Sequence, residues 1–88
     1  STSKLNKVAE EAWKKNKPRT KQGKLAKIFY VTQVKTGPPI FLVFVSDPKL
    51  FPDHYRRYLI NFFRDSLGVP EIPIRLVFRR RTERRRGK

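Results

Sequence analysis

The sequence predicts an α+β domain in which a three-stranded sheet carries helices mainly on one face. Residues 40–45, Ile-Phe-Leu-Val-Phe-Val, are apolar without a break and rich in β-branched and aromatic types, the composition of a strand buried inside a sheet. Two other stretches, 3–15 and 53–67, repeat apolar side chains at helical spacing. The chain has 88 residues, which is one small domain with room for a single layer of helix on a single layer of sheet. A strand that is apolar on both faces needs cover on both. The second cover comes either from a neighbouring domain or from the first helix wrapping round.

The first helix, 3–15, places Leu5, Val8, Ala9, Ala12 and Trp13 on one face and Lys4, Lys7, Glu10, Glu11, Lys14 and Lys15 on the other. Thr2 or Ser3 can cap it, and Pro18 ends it because the residue before a proline is pushed out of the helical region. Residues 17–27 contain a proline, a glycine and no carboxylate, and are expected to form a mobile loop. The first strand, 27–35, sets Ile28, Tyr30, Thr32 and Val34 on one side and Lys27, Phe29, Val31, Gln33 and Lys35 on the other. The turn Thr36-Gly37-Pro38-Pro39, in which Gly37 is free to take a positive φ, leads into strand 40–45 as an antiparallel hairpin.

Asp47-Pro48 has the form of an N-cap followed by a first-turn proline, so a short helix is expected over 48–51. After a corner at Phe51-Pro52, a long helix over 53–67 buries Tyr55, Leu59, Phe62 and Phe63, flanked by Tyr58 and Ile60. Gly68 stops it, with Pro70 beyond. The third strand, 72–80, turns Ile74, Leu76 and Phe78 inward and Arg75, Val77 and Arg79 outward. Pro73 lies near its start, where a missing donor costs least.

The chain carries 22 Lys and Arg against 7 Asp and Glu, a formal charge of +15. That imbalance points to a polyanionic partner, nucleic acid first and an anionic membrane surface second. The charge is concentrated. The loop holds Lys17, Arg19, Lys21, Lys24 and Lys27, and the run from Arg79 to the end holds seven basic residues and one acid, leaving ten basic and six acidic residues elsewhere. Residues 1–80 are therefore taken as the folded domain and 81–88 as a basic, flexible tail. Arginine grips phosphate bidentately and stacks on bases, which suits folded RNA better than a lipid surface. The candidates for RNA contact are Lys17, Arg19, Lys21, Lys24 and Lys27, the outward Arg75 and Arg79, and Arg80, Arg81, Arg84, Arg85 and Arg86. Arg56, Arg57 and Arg64 either extend that patch or keep the long helix soluble. Trp13 sits at core spacing, where burial outweighs base stacking as its expected role.

Catalytic and metal chemistry find no constellation. There is no Cys, which excludes disulfides and thiolate metal sites. The glycines at 23, 37, 68 and 87 are scattered, so the closely spaced glycines that let a backbone wrap nucleotide phosphates are missing. His54 is the single histidine, with Asp53 projecting about 100° away round the helix, and is read as a helix-start or packing residue. The chain is expected to be non-enzymatic, without metal or cofactor of its own, and monomeric. No apolar run approaches the roughly 18 residues of a membrane span, and residues 1–15 are unlike a signal peptide, so a soluble intracellular protein without membrane contact is expected. The absent initiator Met suggests either a piece of a longer chain or removal by processing.

Several stretches are more specific. Thr2-Ser3-Lys4-Leu5-Asn6 opens a helix, Ile28-Phe29-Tyr30-Val31-Thr32-Gln33-Val34-Lys35-Thr36 precedes Pro38-Pro39, Phe44-Val45-Ser46-Asp47-Pro48 follows, and Gly68 with Pro73-Ile74-Arg75-Leu76 leads to the arginine run. Together they resemble the C-terminal KH-like domain of the bacterial tandem GTPase Der, also called EngA. The order helix, strand, strand, short helix, helix, strand is also that of a type II KH domain. The resemblance implies a ribosome assembly factor, cytoplasmic and ribosome-associated, whose GTP and Mg²⁺ bind elsewhere in the parent chain. It also implies that this domain packs on the GTPase domains and faces the rRNA of the large subunit. Phe29, Val31, Phe41 and Val43 are then the expected packing residues against a GTPase domain. A KH domain ordinarily grips nucleic acid with a GxxG loop between consecutive helices. Here that corner reads Leu50-Phe51-Pro52-Asp53-His54, without glycine and with an acid, so RNA contact is expected from the basic residues instead.

Overall fold

A computed structural model describes residues 2–20, 23–68 and 73–81. In chain order it contains helix α1 (Thr2–Lys15), strand β1 (Ile28–Thr36), strand β2 (Pro39–Val45), a 3₁₀ turn (Pro48–Leu50), helix α2 (Asp53–Leu67) and strand β3 (Arg75–Arg80). The sheet order is β1-β2-β3, with β1 antiparallel to β2 and β2 parallel to β3. The continuous apolar strand is thus the central one. Parallel pairing of β2 with β3 requires a crossover, which the 3₁₀ turn and α2 supply.

One core joins both helices to one sheet face. Leu5, Val8, Ala9 and Ala12 of α1 meet Tyr55, Leu59 and Phe63 of α2 over Val31, Phe41, Val43 and Val45, with Ala26, Phe51 and Ile74 closing the ends. Each large apolar side chain buried here contributes about 1.5 to 3 kcal/mol. Two tyrosines bind the helices together at the carboxyl end of α1. The Tyr58 hydroxyl donates to Ala12 O at 2.7 Å, a carbonyl that also accepts from Asn16 N, and the Tyr55 hydroxyl donates to Asn16 O at 2.6 Å, just past the helix end. Burial pushes both hydroxyls above the usual tyrosine range, Tyr55 furthest, with Tyr58 beside it adding to the rise.

Several expectations are corrected. The helix begins at Thr2, so Thr2 and Ser3 lie inside it. Phe62 is half-buried, and Phe63 carries the core position. Gly37 is not at positive φ; the hairpin reversal contains a cis Gly37–Pro38 peptide. Gly68 does stop α2 in the left-handed region, at φ 67°, where the lack of a Cβ avoids strain. Pro70 and Ile72 lie outside the described residues, and β3 begins at Arg75.

The first strand does not alternate evenly. Ile28 pairs with Val45 and Tyr30 with Phe44, so Phe29 is an extra residue; a second irregularity places Val34 between the Gln33 and Lys35 pairings. The first bulge rotates the chain, so that Ile28 and Val31 both serve the core while Tyr30 pairs with Phe44 on the opposite side. At the outer edge of β1, the Asn6 side chain behaves as a short partner strand. Its Oδ1 accepts from Val31 N at 2.8 Å and its Nδ2 donates to Val31 O at 3.0 Å.

β2 is not covered on both faces. Phe41, Val43 and Val45 are buried, while Ile40, Leu42 and Phe44 are half-buried. Because α1 packs in the same core as α2, it does not wrap round, and the second sheet face is open.

Candidate nucleic-acid interface

Strand register assembles the open face from three rows. Tyr30, Phe44 and Arg79 form one, Thr32, Leu42 and Val77 the next, and Ile40 with Arg75 the last. Tyr30 stacks on Phe44 with ring centroids 4.5 Å apart, and Tyr30 is 43% exposed. The surface is therefore an apolar and aromatic strip with arginines along β3.

The expected interdomain residues are largely misplaced. Val31, Phe41 and Val43 are 0%, 3% and 1% exposed in this chain's own core, and no second domain can reach them. A strand apolar on both faces gives no sign of which face its own helices cover, and the bulge at Phe29 hides the answer in β1. Phe29 itself is half-buried. The Arg81 guanidinium lies 3.8 Å from its ring centroid, and Lys27 Nζ lies 5.9 Å away.

That contact brings the two basic segments together. Lys27 ends the 17–27 loop and Arg81 follows β3, yet both meet Phe29, a convergence that depends on β1 and β3 flanking β2. Arg79 is one row away beside Phe44, and Arg75 is exposed at the far end of the strand. Arg80 is engaged locally. It pairs with Asp47 Oδ1 at 3.1 Å and donates to Ser46 O at 3.2 Å. The Lys49 backbone N–H, and then the Arg80 charge, hold the Asp47 carboxyl below the usual aspartate range against partial desolvation.

The end of the loop is held by hydrogen bonds to Ser46 and Trp13. Ser46 Oγ donates to Leu25 O at 2.6 Å and accepts from Lys27 N at 3.0 Å; Ser46 N donates to Lys27 O at 2.9 Å. The Trp13 indole N–H donates to Ala26 O at 2.7 Å, and Thr20 Oγ1 donates to Lys24 O. Lys17, Arg19, Lys24 and Lys27 remain exposed, with Lys17 Nζ 4.8 Å from the Trp13 ring centroid. Lys21, Arg84, Arg85 and Arg86 lie outside the described residues.

The helical corner is filled, not open. Phe51 is 2% exposed, and Arg56 holds the backbone around it, donating from Nε to Phe51 O at 2.7 Å and from Nη2 to Pro48 O at 2.8 Å. Its guanidinium also lies 4.3 Å from the Phe78 ring centroid. These contacts occupy the Arg56 guanidinium within the fold. Arg57 is exposed, and Arg64 donates to Asn61 Oδ1 at 3.4 Å.

Charge is segregated across the fold. The described carboxylates are Glu10 and Glu11 on α1, Asp47 before the 3₁₀ turn, and Asp53 and Asp65 on α2, while all three strands are free of acid. No cluster of three or more His, Cys, Asp or Glu exists among the described residues to hold a metal. The described glycines, at 23, 37 and 68, are far apart in the chain and do not form a glycine-rich phosphate loop among the described residues. No helix among the described residues is long and apolar enough to cross a membrane.

Comparison with known proteins adds a family. The profile described as the KH-domain-like, C-terminal domain of EngA bacterial GTPase enzymes matches residues 1–79. The chain is 49% identical over 80 residues to GTPase Der of Desulforudis audaxviator, covering 91% of this chain and 18% of that protein. It is 51% identical over 80 residues to GTPase Der of Crocosphaera subtropica, covering 90% and 18%, and 46% identical over 86 residues to GTPase Der of Gloeobacter violaceus, covering 96% and 19%. The chain thus spans about a fifth of the length of the curated relatives it matches.

Proposed function

The chain belongs to the family of C-terminal KH-domain-like domains of EngA bacterial GTPases, and from that premise we propose that it is a non-catalytic docking domain of a ribosome biogenesis GTPase. It contacts large-subunit rRNA through Lys17, Arg19, Lys21, Lys24, Lys27, Arg75, Arg79, Arg80, Arg81 and the terminal arginines Arg84, Arg85 and Arg86. The strip of Tyr30, Leu42, Phe44 and Val77 packs against a GTPase domain of the same parent chain. GTP and Mg²⁺ belong to those other domains, and the site of action is the cytoplasm, on the ribosome.

The observation that carries this reading is the segregation of charge. Four of the five described carboxylates lie on the two helices and the fifth, Asp47, is paired with Arg80, whereas the strands carry Arg75, Arg79 and Arg80 with no acid. A phosphate backbone running along the β3 edge, beside the apolar strip, meets cations whose one close carboxylate, Asp47, is already paired with Arg80. The absence of a glycine corner shifts the work from backbone amides to side-chain cations.

The test uses the parent GTPase and large ribosomal subunits. Neutralising Lys17, Arg19, Lys24, Lys27, Arg75 and Arg79 to Gln weakens subunit binding far more than neutralising the same number of cations on the outer faces of the helices. Equal losses would mark the chain as a nonspecific polycation. Unchanged binding would instead favour a purely structural module that regulates the GTPase domains without touching RNA.

A further inference from the structure

At the margin of the open face, with Tyr30 common to both, α1 and the outer edge of β1 form a cleft of about 450 Å³, within the range of small-ligand sites. Its walls include Asn6, Glu10, Trp13 and Lys14 from α1, and Lys27 and Phe29 from the chain entering and opening β1. The Trp13 ring is held by its N–H bond to Ala26 O, and Lys17 lies against it. The one carboxylate in the wall, Glu10, is engaged by Lys14 at 3.4 Å. A rigid indole, a second aromatic ring and three nearby lysines are the components of a site for a base and its phosphate.

We propose that this cleft accepts one unpaired nucleotide of an RNA strand, its base against Trp13 and its phosphate toward Lys14 and Lys27. The inference rests on the RNA-docking reading above and gives it a single-strand subsite between α1 and the β1 edge, next to the sheet face. An added peptide strand is the obvious rival occupant, since β1 is an edge strand. Asn6 disfavours it: the side-chain amide already takes both the N–H and the C=O of Val31, so a hydrogen-bond ladder cannot continue along the edge. A compact planar base needs no ladder. Stacking on an aromatic ring tolerates any base, so the site senses unpaired structure more than sequence.

Trp13 is the single tryptophan of the chain and reports directly on the cleft. The 88-residue chain is titrated with a short unstructured oligoribonucleotide and with a blunt RNA duplex of the same length. Trp13 emission is followed alongside the anisotropy of labelled RNA. The single strand quenches Trp13, whereas the duplex binds without quenching. Lys14→Gln combined with Lys27→Gln weakens the single strand by about tenfold, and Lys7→Gln combined with Lys49→Gln, an equal loss of charge, weakens it less. Binding seen by anisotropy with unchanged Trp13 emission would overturn the cleft while leaving the docking reading intact. No anisotropy change with either RNA at low salt would overturn both. A mononucleotide that quenches as well as the oligonucleotide would overturn the assignment to RNA.

Discussion

Asn6 shows how much one side chain can decide. It sits one turn into α1, yet its amide donates to Thr2 O at 2.8 Å and also closes the edge of β1 at Val31. Asn6→Leu keeps the bulk and leaves two partly buried backbone groups unpaired, so urea unfolding should show a loss of about 1 to 3 kcal/mol. The same variant frees the strand edge, and self-association at high concentration is the expected secondary effect. Tyr55 and Tyr58 set the alkaline behaviour. Both hydroxyls titrate higher folded than unfolded, so their stabilisation is complete below about pH 10 and is lost as pH rises towards the folded values, because the unfolded chain releases its protons first. Tyr55→Phe forfeits the bond to Asn16 O, about 1 kcal/mol at neutral pH, but its stability declines less steeply in alkali. A slope unchanged from the parent chain would contradict the assigned role. Neither the Asn6 clamp nor the two tyrosine bonds was legible in the sequence, because each joins residues distant along the chain whose meeting depends on the packed fold.

At the scale of elements, periodicity was informative. The spacing of Leu5, Val8, Ala9 and Ala12 placed α1, Asp47-Pro48 placed the 3₁₀ turn, and Gly68 placed the end of α2. Faces were harder. Residues 40–45 are apolar on both sides, and a period of two does not say which side the helices cover. The bulge at Phe29 removed the remaining cue by putting Ile28 and Val31 on the core side together. The consequence is a changed expectation: under the proposed docking, the surface offered to a GTPase domain becomes Tyr30, Leu42, Phe44 and Val77, because Val31, Phe41 and Val43 are buried in this chain's own core. Hydroxyl-radical footprinting of the parent against this chain alone should show Tyr30 and Phe44 protected from oxidation. Equal oxidation in the two would remove the open face as a packing surface.

For the whole molecule, the division of labour follows from size and charge. Two helices cover one sheet face and leave the other open, and the described carboxylates lie on the helices except Asp47, which pairs with Arg80. The total charge and its clustering at 17–27 and beyond Arg79 are plain in the sequence. The meeting of Lys27 and Arg81 on Phe29 needed the strand order. Salt dependence tests this account most directly. Binding of the 88-residue chain to large ribosomal subunits is measured across a salt series, beside a chain ending at Arg81 and beside unrelated duplex DNA. Each phosphate neutralised contributes about −0.7 to −0.9 to the log–log slope. The account predicts that removing the terminal arginines lowers both affinity and slope, while the shortened chain still prefers the subunit over DNA through its loop and sheet cations. An unchanged slope, or a shortened chain with no preference for the subunit, would contradict it.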